Sequence, residues 1–264
     1  MGGLKEEKNC KEVDNDLVLK GREFLKSNWE VLENFTSDQK KGIEVPPFEK
    51  PYPQNAFLIS LPDFKNVESF RKKSVFDAIE NRKSHRKYEH IPLSIEELSF
   101  LLWATQGVRS ISQRATFRTV PSAGARHPFE TYVYVINVQG LEEAVYRYLP
   151  IEHSLILHRK DRYLREEIIR ATLDQEFVGR SSVVFIWTVV PYRTEWRYGP
   201  ASHKAILLDA GHICQNLYIA CEAIDAGTCA IAAYSQHLMD NFLGVDGRDE
   251  FVVYLAPVGK ISKT

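Results

Sequence analysis

Cysteine is scarce in this chain: four in 264 residues, Cys10, Cys214, Cys221 and Cys229. None forms a Cys-x-x-Cys pair, which excludes a disulfide scaffold and a cysteine zinc site, and fits a reducing cytoplasm. An excess of charge of one sign is also absent. Lys plus Arg is 34 against 35 for Asp plus Glu, so neither a general nucleic-acid binder nor an acidic-membrane binder is expected, and the ligand should be small. No apolar run approaches the roughly 18 residues of a membrane span. The N-terminus, Met-Gly-Gly-Leu-Lys-Glu-Glu-Lys, has no apolar signal core, and Glu6 stands where a myristoylation motif needs Ser or Thr. Gly-x-Gly-x-x-Gly after a strand, Gly-x-Ser-x-Gly and His-Glu-x-x-His are all missing, which counts against a dinucleotide-binding Rossmann unit, a serine hydrolase and a zinc protease. His127 and His212 lack companions at ligand spacing, so each reads as structural and no metal is expected.

What is present reads as an arm followed by one domain. Residues 1 to about 14 are polar, and apolar positions from Leu17 to Phe35 recur at helical spacing. Pro46, Pro47, Pro51, Pro53 and Pro62 then mark an extended strap, so residues 1–66 form a helical and proline-rich arm, which packs on its own domain or on a second subunit. The domain, residues 67–264, opens with a helix through Phe70, Val75, Phe76 and Ile79. A capping box, Ser94-Ile-Glu-Glu97, starts another that stops near Gly107. Val108 to Arg118 reads as a polar loop whose Arg109, Arg114 and Arg118 flank the site. Strands are expected at 130–137, 144–148, 155–158, 182–190 and 251–256, with helices at 161–173, 203–225 and 236–243 and an irregular run at 228–233. The 203–225 helix is apolar nearly all round, as a central or interface helix is. Few connections require parallel crossovers, which favours α+β with a mixed or antiparallel sheet. Trp29, Trp103, Trp187 and Trp196 are core candidates, Trp196 also a pocket candidate, and Cys214 and Cys221 are small packing residues.

Two segments carry chemistry. Asn81-Arg-Lys-Ser-His-Arg-Lys-Tyr88 alternates guanidiniums with a hydroxyl, the donors a terminal phosphate needs. Val120-Pro-Ser-Ala-Gly-Ala-Arg-His-Pro-Phe-Glu130 is a glycine turn that brings backbone donors close to a flat ligand. Either alone is ordinary: a solvated basic face and a simple turn.

In order along the chain, Arg82-Lys-Ser-His-Arg86, Pro121-Ser-Ala-Gly-Ala-Arg-His-Pro128, Leu208-Asp-Ala-Gly-His-Ile-Cys-Gln-Asn-Leu217, Ala226-Gly-Thr-Cys-Ala-Ile-Ala-Ala233 and Pro257-Val-Gly-Lys260 resemble the FMN-dependent nitroreductase superfamily. The second and third resemble its azoline-dehydrogenase branch, the SagB or ThcOx type. The resemblance covers residues from about 70 onward. It implies a nitroreductase-like α+β fold, a central, mainly antiparallel sheet flanked by helices, in a homodimer with FMN at the interface. Arg82, Lys83, Ser84 and Arg86 fall on its phosphate and ribityl ligands. Pro121, Ser122, Ala123, Gly124 and Ala125 fall on the turn along the isoalloxazine ring, where Ala125 replaces a common Asn and leaves backbone contact only. Ala232 and Ala233 fall where amides approach flavin N5 and O4, and Lys260 and Lys263 where cations complete the phosphate site.

In that branch a Lys-Tyr pair removes the substrate proton, and here Arg197-Tyr198 would stand in its place. Tyr198 can exchange a proton, whereas a guanidinium cannot but can lower the pKa of the tyrosine. The alternative is a helix-start aromatic packed on the core. The resemblance implies hydride transfer through flavin N5, with either NAD(P)H feeding a nitroaromatic or quinone, or a peptide azoline oxidised with electrons passed to dioxygen. A different class stays open: a non-catalytic flavin-binding scaffold of a peptide-modifying complex.

Overall fold

The structure, a computed structural model, describes residues 6–27 and 29–262. Helix α1 spans Glu6–Leu25, so helix already occupies most of the polar stretch 1–14. It also ends ten residues before Phe35. Ser27 and Asn28 are weak helix formers, and the chain turns again only as a 3-10 turn at Trp29–Leu32. Lys204 donates to the Leu25 carbonyl at 2.6 Å, where a cation suits a helix C-terminus. Leu17, Val18, Leu19, Phe24 and Leu25 remain exposed.

The strap has a short strand, β1 (Leu58–Ser60), and is otherwise irregular with turns. Prolines forbid ladder pairing, so side chains of the domain hold it instead. Arg118 donates to the Phe48 carbonyl at 2.8 Å and Arg147 to that of Pro51 at 3.2 Å. Trp196 Nε1 donates to the Ile43 carbonyl at 3.0 Å, and buried Glu130 accepts the Lys50 N–H at 2.7 Å.

A 3-10 turn at Glu68–Arg71 and helix α2 (Val75–Asn81) replace the single helix expected there. Ser74 and Asp77 form a capping box, so a helix start falls in mid-segment. Val75, Phe76 and Ile79 point outward, 61–71% exposed. Helix α3 (Ile95–Gln106) begins on the expected Ser94–Glu97 box. Val108–Ile111 (β2) and Thr116–Arg118 (β3) pair antiparallel, so the expected polar loop is a hairpin. Its Arg118 is 2% exposed and donates to Gln106, Thr116 and Phe48: it holds the fold and does not flank the site.

Strands β4 (Phe129–Val135), β5 (Ala144–Leu149) and β6 (Ser154–Arg159), helix α4 (Leu164–Ala171) and strand β7 (Val183–Val189) follow. Then come α5 (Tyr192–Tyr198), α6 (Ser202–Ala223), β8 (Ala226–Thr228), α7 (Gln236–Leu243) and β9 (Phe251–Lys260). The seven-stranded sheet runs β1-β6-β5-β4-β7-β9-β8 with every pair antiparallel, the fold class read from the sequence. Every residue of β4 and β7 is buried, because the sheet has cores on both faces. One joins Val133, Phe185 and Trp187 to Leu98, Leu102, Ile213 and Leu217 of α3 and α6, and the other joins Tyr134 and Ile186 to Ile168, Met239 and Phe242 of α4 and α7.

Cys214, Cys221 and Cys229 are free and buried, the first two packing in the α6 core. Trp187 is in the core, and Trp29, expected there, is 49% exposed. No helix of the described residues is long and apolar enough to cross a membrane.

The strap carries a titratable contact. Burial pushes the Glu49 carboxyl up to about 7, and Glu152 adds to the shift. The folded chain therefore keeps a proton that the unfolded chain loses near its ordinary value of 4.5, and stability falls as pH rises through that window. Urea unfolding at pH 5 and pH 7.5 should show this decline, and Glu49→Gln should flatten it.

Candidate functional site

Helix α6 positions two groups of residues, through Asp209 near its start and Tyr218 further along. They are about 13 Å apart at 1.5 Å rise per residue.

At Asp209 sits the glycine turn. Ser122 Oγ donates to Asp209 Oδ2 at 2.6 Å, and the Ala123 N–H donates to both carboxylate oxygens at 3.2 Å. Ser122 Oγ also accepts the His127 N–H at 2.9 Å. Asp209 is 4% exposed; burial raises its pKa, against the lowering effect of Ser122, Ala123 and His212. The turn's donors are thus partly spent on the protein. Ala125 N–H goes to the Ser122 carbonyl and Arg126 N–H to that of Ala123, which leaves the N–H groups of Ser122 and Gly124 without acceptors among the described residues.

Gly124 has φ +58 and Ala125 φ +53, a region that suits glycine. Space is as restrictive: a Cβ on Gly124 would lie 2.5 Å from Tyr198 Oη and 3.1 Å from Arg197 Cδ. The structure therefore brings Arg197 and Tyr198 directly against the turn. They close α5 at its C-terminus, where a helix start was expected. Trp29 meets the Tyr198 ring edge-on at 5.2 Å, so the arm reaches the same place.

Arg126 was not among the expected site residues. It donates to the carbonyls of Gly124, at 3.0 Å, and Arg114, and it lies over the Trp196 ring. Burial, then the charge of Arg197, hold its pKa below the ordinary value, with Tyr198 opposing. His127 is buried and pushed down to about 3, mainly by desolvation, so it is neutral and structural.

At Tyr218 sits the basic run. Ser84 Oγ and Tyr218 Oη are 2.9 Å apart, and the hydroxyl accepts the Ala230 N–H at 2.8 Å. Ser84 bridges to Thr228, and His85 N–H donates to the Thr228 carbonyl at 2.9 Å. Arg82 lies over the Tyr218 ring and Arg86 over Phe177. Arg82, Lys83 and Arg86 have no carboxylate partner among the described residues. Beyond Ala230, the Ile231 N–H donates to the Leu255 carbonyl, and Ala233 accepts from Gln175. Ala232 and Ala233 are exposed, and neither N–H has an acceptor among the described residues.

Lys260 is elsewhere engaged: Nζ donates to Glu97 and to the Ile224 carbonyl. Lys263 lies outside the described residues. The residues present fit FMN on two counts, unpaired cations for a phosphate and unspent amides for a ring edge. No cluster of His, Cys, Asp or Glu that could hold a metal occurs among the described residues. Neither Asp209 nor Tyr218 was among the expected site residues; Asp209 lay within the Leu208–Leu217 motif, and a carboxylate in an otherwise apolar helical segment was a further signal.

A profile of the Nitroreductase family matches residues 79–260. The chain belongs to that family, and the class is oxidoreductase. It is 33% identical over 202 residues to a Methanocaldococcus jannaschii protein assigned to the nitroreductases, covering 76% of this chain and 96% of that one. It is 28% identical over 165 residues to the trifolitoxin-processing protein TfxB of Rhizobium leguminosarum bv. trifolii, covering 58% of this chain and only 44% of TfxB. Among solved structures, a chain of the E. coli microcin synthetase McbBCD complex with truncated pro-MccB17 bound shares the fold, with TM-score 0.57 at 17% identity and 99% of both chains covered.

Asp209→Asn exchanges a carboxylate that accepts three hydrogen bonds for an amide that repels one donor. Loss of a charge-assisted bond costs about 1.5–3 kcal/mol, read by urea unfolding. Because Ser122 and Asp209 act together, Ser122→Ala should add little on top of Asp209→Asn.

Proposed function

We propose that the protein is an FMN-dependent oxidoreductase. The observation that carries this reading is the group of cations at Arg82, Lys83 and Arg86, without acid partners among the described residues, beside the unspent amides of Ala232 and Ala233. FMN, when bound, supplies two-electron hydride transfer to or from a substrate.

The chain's residues do the rest. Arg82, Lys83, Ser84 and Arg86 hold the phosphate, with Ser84 oriented by Tyr218. The amides of Ala232 and Ala233 take ring acceptors. The Pro121–Ala125 turn forms a wall of the slot through the Ser122 and Gly124 N–H groups, since the Ser122 hydroxyl is held by Asp209. Lys260, paired with Glu97, is left out of the phosphate site. Tyr198 holds an exchangeable proton beside Gly124, and Arg197 stays charged.

Two substrate classes fit: an electron-poor acceptor reduced at the expense of NAD(P)H, or a modified peptide ring that is oxidised. The names of TfxB and of the microcin complex support the second. A second copy of the chain is the partner that best suits the exposed Val75, Phe76 and Ile79 of α2 with Leu207 and Leu208 of α6. Light scattering should give a dimer; a monomer at micromolar concentration removes this part.

The purified protein should be yellow. Arg82→Ala or Arg86→Ala should lower FMN affinity by at least about tenfold, since each loses a charge-assisted partner; unchanged affinity defeats the phosphate assignment. Anaerobic NADH or NADPH should bleach the flavin band if the reductase reading holds, and an azoline peptide should do so if the dehydrogenase reading holds. Bleaching by neither favours a flavin-carrying scaffold. Tyr198→Phe should retain FMN and slow turnover; an equal rate returns Tyr198 to packing.

A further inference from the structure

We propose that Arg126 and Arg197 form a subsite for an organic carboxylate carried by the substrate. The inference rests on the flavin reading and names the substrate class of that site. Both side chains converge on one glycine: Arg126 Nε donates to the Gly124 carbonyl at 3.0 Å, and Arg197 Nε lies 3.1 Å from where a Gly124 Cβ would be. Each guanidinium lies over a ring, Arg126 over Trp196 at 5.2 Å and Arg197 over Tyr198 at 5.3 Å. Stacking of this kind fixes the guanidinium planes, and it leaves Nη1 of Arg126, whose Nε and Nη2 are spent on carbonyls, and the fork of Arg197 for a planar anion.

No carboxylate among the described residues pairs with them. Arg126 is 6% exposed, and its partners are two neutral carbonyls. Arg197 has no carboxylate partner among the described residues, and its charge acts on Arg126. The nearby acids are committed, Asp209 to Ser122 and Ala123, and Glu195 to His203. A buried guanidinium beside a second one is costly without a counter-ion, and an incoming carboxylate relieves both. The Tyr198 hydroxyl, 2.5 Å from the Gly124 Cβ position, supplies a further donor beside the forks.

The test needs no turnover. Benzoate and benzamide differ in charge and little in shape, so each is titrated into the FMN-loaded protein while the flavin absorbance band is followed. Benzoate should bind at least about tenfold more tightly than benzamide, the worth of one charge-assisted pair. Arg197→Gln, a change at an exposed position, should collapse that ratio towards one while benzamide binding stays within about twofold. Equal binding of the two probes, or a ratio that survives Arg197→Gln, overturns the proposal. Inorganic phosphate that displaces benzoate at similar concentration overturns the carboxylate assignment in favour of a general anion site. A colourless protein refutes the flavin reading instead; the same titrations, followed by the fluorescence of Trp196 beneath Arg126, then decide the subsite.

Discussion

The bond between the Asp209 carboxylate and the Ser122–Ala123 turn is the constraint on which the candidate site depends. Asp209 lies on α6, whose other polar hook, Tyr218, holds Ser84 and Ala230. A helix is stiff, so the separation of the turn from the basic run is set by α6 itself and not by the loops that carry them. The apolar face of α6, Ile206, Ala210, Ile213, Leu217 and Ala220, is packed on the sheet. Tight packing there fixes the rotation of the helix and so the direction in which both hooks point.

The near-zero net charge hides how the charges are sorted. Acids are used inside: buried Glu130 takes Arg193 and the Lys50 N–H, buried Glu250 takes Thr188, Tyr132 and Lys50, and half-buried Glu97 takes Lys260. These bonds staple the strap and the end of β9. The arginines of the basic run and of the turn are left over, in two places along α6. Buried acids with partners keep the fold in one register, and cations without a carboxylate partner among the described residues create demand for anions.

Most of the sheet was legible in the sequence because its signals are local. The apolar run at 182–190 and the Ser94–Glu97 capping box report burial and a helix start without knowledge of distant contacts. The Val108–Arg118 hairpin was not legible, since its pairing satisfies backbone groups beneath polar side chains, and Arg118 read as flanking the site because its partners Phe48 and Gln106 are distant or unmarked in the sequence. For Lys260 the reason is similar: Glu97 is distant in sequence and the pairing leaves no periodic mark. Helical spacing marked Phe76 and Ile79 as part of a helix, but spacing shows only that a face is apolar and not what covers it. The motif order showed the basic run, the turn and the segment that holds Asp209, but not that Asp209 and Tyr218 bind the turn and the run, because those contacts join residues distant in sequence.

The arm belongs to this same physical argument. Trp29 abuts Tyr198, and a Cβ on Gly199 would come within 2.1 Å of the Phe35 ring. Gly199, at φ +46, therefore lets the end of α5 turn under an aromatic edge that any side chain would block. The Trp196 indole ties the same short helix to the strap at Ile43. Arg197 and Tyr198 are thus placed from two sides, by Gly124 beneath and by the arm above. A segment without a packed core of its own thus fixes the helix end on which the Tyr198 hydroxyl and the Arg197 guanidinium are mounted.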